Sequence, residues 1–76
     1  MLKLRPNCEL CDIDLAPDES NAFICTFECT FCRTCCEEIL HTQCPNCGGN
    51  LVERPARTPA MLKKYPASVE RVVKKL

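Results

Sequence analysis

Nine of the 76 residues are cysteine, and eight of them fall into four close pairs. The pairs are Cys8 and Cys11, Cys25 and Cys29, Cys32 and Cys35, and Cys44 and Cys47. Two cysteines with two residues between them form half of a tetrahedral zinc site, because one tight turn aims both sulfurs at one point. In the stretch from Cys29 to Leu40, Cys29, Cys32 and Cys35 recur at every third position. Three cysteines in that register cannot all face one metal from one turn, so they must be shared between two metals. Eight thiolates make two four-sulfur sites with Zn–S near ~2.3 Å and no position left for water. That chemistry is structural. Catalytic zinc keeps an open place, and no other nucleophile arrangement, phosphate loop or open metal site stands in the sequence to suggest an enzyme.

Disulfides are the rival use of so much cysteine. The cysteine count is odd, and the opening Met1-Leu2-Lys3-Leu4-Arg5-Pro6-Asn7 lacks the apolar run of a signal peptide. Neighbours with two residues between them rarely bridge each other in secreted scaffolds. The expectation is therefore metal, in a reducing compartment, with the cytoplasm as default. No stretch approaches the ~20 apolar residues of a membrane span.

The elements must position these sulfurs within a very small body. A chain of this length makes one domain, whose core rarely supplies more than ~3–5 kcal/mol. A structural zinc contributes on the order of 10–16 kcal/mol of apparent binding energy, so two of them would dominate stability. The formal net charge is zero, but it is unevenly placed. Residues 1–52 carry three basic and eight acidic side chains, and residues 53–76 carry seven basic and two acidic ones. The expected organisation is a metal-binding domain over 1–53 followed by a basic linker and helical tail over 54–76.

Along the chain, residues 1–7 read as an extended lead-in, since Pro6 biases Arg5 away from helix. Cys8-Glu9-Leu10-Cys11 is a metal knuckle, and Asp12 to Ala22 is loop, rich in turn formers. Ala22-Phe23-Ile24-Cys25 reads as a short strand that delivers Cys25. From Arg33 to His41 the pattern suits a helix with Thr34 as N-cap, Glu37 three residues on, and Cys36, Ile39 and Leu40 on the inner face. Cys36 is then a small core hydrophobe, and His41 a solvated helix end. Cys44-Pro45-Asn46-Cys47-Gly48-Gly49 is a second knuckle, and Leu51-Val52 a closing strand. Thr58-Pro59 starts a helix of about two turns that must stop by Pro66. Ser68 caps a second helix whose Val69, Val72, Val73 and Leu76 make one apolar face. That tail is expected to fold back on the core near Glu37 and Glu38.

The cysteine order resembles a RING finger in all-cysteine form over residues 8–47. The likeness is carried by Phe31-Cys32-Arg33-Thr34-Cys35, Ile39-Leu40 and Cys44-Pro45-Asn46-Cys47. It implies interleaved sites, Cys8, Cys11, Cys32 and Cys35 on one zinc and Cys25, Cys29, Cys44 and Cys47 on the other. The whole chain is also similar to a small cysteine-rich, mostly bacterial family, the domain of unknown function twelve-seventy-two. That likeness rests on Leu4-Arg5-Pro6-Asn7-Cys8, Phe27-Glu28-Cys29-Thr30-Phe31-Cys32 and Cys44-Pro45-Asn46-Cys47-Gly48-Gly49. It implies a zinc-binding protein without an assigned activity. The last knuckle alone resembles zinc ribbons, for which sequential pairing would put Cys8, Cys11, Cys25 and Cys29 together and Cys32, Cys35, Cys44 and Cys47 together.

The expected fold is a small zinc-stabilised α+β unit, a RING-like cross-brace with two zinc sites, short hairpin strands, one central helix and a helical tail. Three roles follow from it. The first is a zinc-finger adaptor that binds another protein. The second is nucleic-acid binding through the basic tail, where only Tyr65 could stack on a base. The third is RING-type ubiquitin ligation. There the resemblance assigns Leu10, Ile39 and Pro45 to contact with a conjugating enzyme, but Gly48 stands where many ligases place a basic residue.

Overall fold

The computed structural model describes residues 2–73. Three short strands, β1 (Ala22–Ile24), β2 (Thr30–Cys32) and β3 (Val52–Glu53), form one antiparallel sheet in the order β2-β1-β3. β1 and β2 are a hairpin that pairs Ala22 with Cys32, Phe23 with Phe31 and Ile24 with Thr30. Its turn is closed by Glu28 N–H on the Cys25 carbonyl (3.0 Å) and by Cys25 N–H on the Cys29 carbonyl (3.3 Å). Glu28 takes a left-handed backbone there, φ 65°. β3 covers the free edge of β1, with Ile24 opposite Val52 and Phe23 opposite Glu53. The strand at β1 and the closing strand agree with the pattern in the sequence. β2 was hidden inside the cysteine-dense stretch, where the metal-ligand spacing masks a period of two.

The central helix is shorter than expected and differently wound. It is a π-helix over Cys35–Ile39, closed by Leu40 N–H on the Cys35 carbonyl at 2.9 Å. The Thr34 cap is corrected. Thr34 already has helical backbone angles (φ −60°, ψ −49°), and its side chain makes no capping hydrogen bond. The wider winding turns Ile39 outward, 53% exposed, while Cys36 and Leu40 stay buried. Two consecutive left-handed residues, His41 (φ 51°) and Thr42 (φ 61°), then reverse the chain. His41 is exposed, as a solvated helix end should be.

The apolar interior is small. Leu4, Leu15, Ala22, Phe31, Leu40 and Leu51 are buried, and seven cysteines are buried with them. Cys36 is wholly buried, and burial pushes its thiol up, so it packs as a neutral hydrophobe.

After the sheet, Arg54 inserts into the interior at 1% exposure. Its Nη1 donates to the Arg5 carbonyl (3.0 Å) and its Nη2 to the Ala16 carbonyl (3.3 Å). Arg57 ties the lead-in to the next helix, with Nη2 on the Leu2 carbonyl (3.0 Å) and Nη1 on the Tyr65 carbonyl (2.7 Å). That helix, α1 (Pro59–Lys64), starts as the sequence directs: Thr58 caps it by accepting from Met61 N–H at 3.4 Å, and Pro59 stands in its first turn.

The second tail helix is corrected over residues 68–73, which form no regular secondary structure; Lys74, Lys75 and Leu76 lie outside the described residues. Ser68 Oγ does accept from Glu70 N–H (3.2 Å), as a cap would. However, Ser68 N–H is taken by the Leu4 carbonyl (2.9 Å), and Asn7 Nδ2 takes the Val72 carbonyl (2.9 Å). A segment this short is marginal as a helix in water, so tertiary hydrogen bonds decide its conformation. Val69 is left 91% exposed.

The tail docks, but elsewhere than expected. Arg71 Nη2 donates to the Asp12 carbonyl and to Asp12 Oδ1, both at 2.8 Å, and Nη1 donates to Asp14 Oδ1 at 2.7 Å. Glu37 is occupied instead by Arg33, at 3.5 Å. Exposed ion pairs are worth ~0–1 kcal/mol each. Arg71→Ala is expected to lower the melting temperature only slightly, because its ion pairs are solvent-exposed. Removing residues 66–76 should lower it further. Circular-dichroism melts of the two variants beside the parent check both statements.

Candidate metal centre

Each knuckle is a miniature hairpin, and the two are built alike. Around the first, Asn7 bridges Asp14; around the last, Gln43 bridges Asn50. Cys8 N–H donates to the Ile13 carbonyl (2.9 Å) and Cys44 N–H to the Gly49 carbonyl (2.8 Å). Asp12 N–H returns to the Cys8 carbonyl and Gly48 N–H to the Cys44 carbonyl, both at 2.9 Å. The residue after the second cysteine is left-handed in both, Asp12 at φ 65° and Gly48 at φ 77°. Glycine adopts that conformation freely, which explains Gly48; at Asp12 the sequence gives no such signal. Such a turn leaves N–H groups pointing at the first sulfur. Leu10 and Cys11 N–H donate to Cys8 Sγ at 3.4 and 3.5 Å.

The central hairpin and π-helix supply the other pairs. β1 ends at Ile24 and presents Cys25, whose Sγ accepts from Phe27 N–H at 3.3 Å. β2 ends at Cys32, whose Sγ accepts from Cys35 N–H at 3.4 Å.

The sulfurs of Cys8, Cys11, Cys32 and Cys35 lie within 4.8 Å of one another, as do those of Cys25, Cys44 and Cys47. The first cysteine pair therefore meets the third, and the second meets the fourth. This is the interleaved arrangement, and the sequential one is excluded for these seven residues. Cys29 is the exception. It lies beside Cys25, but its sulfur falls outside the second group, and it accepts from Asn46 Nδ2 at 3.5 Å.

The first group fits a tetrahedral thiolate centre. Four sulfurs ~2.3 Å from one metal stand ~3.8 Å apart. Cys11 Sγ and Cys32 Sγ are 3.7 Å apart, and all nine cysteines are free of disulfides. Electrostatics points the same way. At Cys8, burial opposes ionisation, but N–H donors from Cys11, Cys32 and Leu10 outweigh it and hold the thiol below its ordinary value. Cys25 is held down likewise by N–H donors from Phe27 and Cys29 acting against burial. Burial and neighbouring sulfurs push Cys35 and Cys32 up. Burial also lifts Cys29, to about 11, with Asn46 opposing the rise and Cys25 adding to it. A cluster that invites the first thiolate and resists the next is suited to holding a cation.

Glu9, between the first two sulfurs, is a supporting residue that the cysteine pattern does not reveal. Its side chain is completely buried. Its Oε2 accepts from Arg5 Nη1 at 2.8 Å and from Thr30 N–H at 2.6 Å, and its own N–H donates to the Thr30 carbonyl at 2.8 Å. Glu9 thereby sutures the first knuckle to β2, the strand that carries Cys32. The only hint in the sequence is the spacing of Arg5 and Glu9.

These features define a small α+β module with two cysteine groups able to hold metal, braced crosswise through a central hairpin. Residues 1–57 match the family described as Protein of unknown function (DUF1272), and the chain belongs to that family. It is 66% identical over 74 residues to an uncharacterized protein of Rhizobium meliloti (strain 1021), an alignment that spans 97% of this chain and 88% of the relative. No solved structure matches it significantly.

Breaking one partner of a buried ion pair costs ~3–5 kcal/mol, because the other charge stays behind. The Arg5 side chain is 21% exposed and Glu9 keeps the Thr30 N–H, so Arg5→Met is expected to destabilise the protein by at most about that amount, and Glu9→Gln, which keeps the acceptor oxygen, by clearly less. Urea unfolding of the metal-loaded variants measures both.

Proposed function

We propose that the protein is a non-catalytic, two-zinc interaction module, with Cys8, Cys11, Cys32 and Cys35 on one zinc and Cys25, Cys29, Cys44 and Cys47 on the other. The observation that carries this reading is the interleaved grouping of the sulfurs, with 3.7 Å between Cys11 and Cys32. Sulfur-only donor sets suit zinc over the hard oxygen-seeking cations, and four-thiolate sites are structural. With so small an apolar interior, the metals are the main source of stability.

What the metals hold in place is a surface for another protein. Phe27 (72% exposed), Ile39 and Val52 stand outside the core, on the hairpin turn, the central helix and the closing strand. Three of the tail's seven basic residues, Arg54, Arg57 and Arg71, are engaged with carbonyls or carboxylates of the same chain, which favours protein binding over nucleic-acid binding. Ile39 and Pro45 are exposed where a RING finger would meet a conjugating enzyme, but Leu10 is half-buried against the core, and ligation is the least supported role. The cytoplasm is the compartment in which such thiolates persist.

Native mass spectrometry is expected to find two zincs per chain, and a strong chelator should unfold the protein. Metal-bound thiolates have folded-state pKa values far below the unfolded ~8.5. Their stabilisation is thus present above that pH and lost as the pH falls through the folded values. Zinc release and unfolding should coincide on acidification, and a fully folded metal-free form at neutral pH would contradict the reading.

Capture experiments with the zinc-loaded protein, with and without nuclease, address the partner. A partner retained after nuclease treatment and lost on Phe27→Ser or Ile39→Ser supports the protein-binding role. Loss on nuclease treatment instead returns the tail to consideration.

A further inference from the structure

The two centres are unlike in one respect that the cysteine spacing does not show. At the first, four sulfurs share one volume, and every cysteine of that group except Cys11 is buried. Around them lie the Glu9 suture to Thr30 and the Arg71 contact to Asp12, the residue next to Cys11. At the second, three sulfurs share a volume and Cys29 stands at its margin, outside the common 4.8 Å. The hydrogen bond to Cys29 Sγ comes from the side chain of Asn46, an exposed residue that can swing away, rather than from a fixed backbone N–H. A cavity of about 350 Å³, lined by Arg5, Phe27, Cys29, Asn46 and Cys47, opens beside these residues. Cys47 itself is exposed. This side of the second group can be reached from solvent through a space large enough for a small chelating molecule.

We propose that the second centre is an exchangeable zinc site, in which Cys25, Cys44 and Cys47 hold the ion and Cys29 is the ligand that lets go. This inference rests on the two-zinc reading above. With zinc bound, the buried Cys29 would be the donor to leave, its sulfur kept by the Asn46 amide at the wall of the cavity. An incoming small thiol or chelator then takes its place on the metal, and the remaining three thiolates follow. The coordination change is a ligand substitution: one zinc–sulfur bond breaks, one bond to the incoming donor forms, and no electrons are transferred. The first centre has no such ligand, and its ion stays.

The test uses the intact zinc-loaded chain and a chromophoric chelator that reports free zinc. Release should be biphasic, with one equivalent leaving at least tenfold faster than the other. In Cys29→Ser, native mass spectrometry should still count two zincs, with the fast phase faster again. In Cys44→Ser it should count one, and the fast phase should vanish. Asn46→Ala, which leaves every sulfur in place, should change the fast phase and leave the slow one alone. Two equivalents leaving in a single phase would overturn the proposal, as would a Cys29→Ser protein that loses one zinc as completely as Cys44→Ser. Parent protein that binds no zinc would instead refute the two-zinc reading itself.

Discussion

Everything in this fold answers to one constraint: sulfurs far apart in sequence must be drawn into two tight groups by a chain with little else to hold it. Thiol clusters are poor glue on their own, since each further thiolate in a group is repelled by the first. The structure meets the constraint by placing the β1–β2 hairpin between the groups. One end of the hairpin carries Cys25 and Cys29, and the other delivers Cys32 towards Cys35. Neither knuckle can complete a group without it, so the two halves of the domain form as one unit. The buried Glu9, accepting from Thr30 and Arg5, joins the first knuckle to this same hairpin.

The arginines show how a small domain uses long side chains in place of a core. Arg54 is among the largest fully buried residues, and burial lowers the affinity of its guanidinium for its proton. Its two terminal nitrogens fasten the lead-in and the loop before β1 to the closing strand. Arg57 does the same for the lead-in and the end of α1. The fork geometry of the guanidinium suits this work, because one side chain reaches two backbone segments at once. Three of the seven basic residues in the last third of the chain, Arg54, Arg57 and Arg71, thus serve as internal fastenings.

Much of the site was legible because metal ligation imposes spacing on a sequence. The knuckles at Cys8 and Cys44, the strand before Cys25, the closing strand and the Thr58-Pro59 helix start all carry local signals, and they stand where those signals put them. Two kinds of feature were not legible. The first depends on partners remote in sequence: the margin position of Cys29 and the non-helical tail, whose Val69, Val72 and Val73 spacing mimics a helix face while Leu4 and Asn7 claim its backbone; the interleaved pairing of the groups was legible only through the RING resemblance. The second depends on a local preference being overridden. Thr34 has the chemistry of a cap, yet it already lies in helical backbone as the chain leaves β2, and the Cys35 N–H is taken by Cys32 Sγ instead. A π-turn likewise has no sequence signature, and it is what moves Ile39 from the core to the surface.

Asp12 illustrates how such a small chain settles competing demands. Its counterpart Gly48 fills the same left-handed position with no Cβ to strain it, and judged by the turn alone a glycine would be the better residue at both. Aspartate tolerates that conformation better than most side chains but at some conformational cost. In return its carboxylate accepts from Asn7 Nδ2 at 2.9 Å and from Arg71 Nη2, so the residue that closes the first knuckle is also the anchor of the tail. The two knuckles therefore share a backbone but differ in what they owe their surroundings. One is free to be optimised as a turn, whereas the other is held to a compromise, and a substitution that perfects it locally would loosen the chain as a whole.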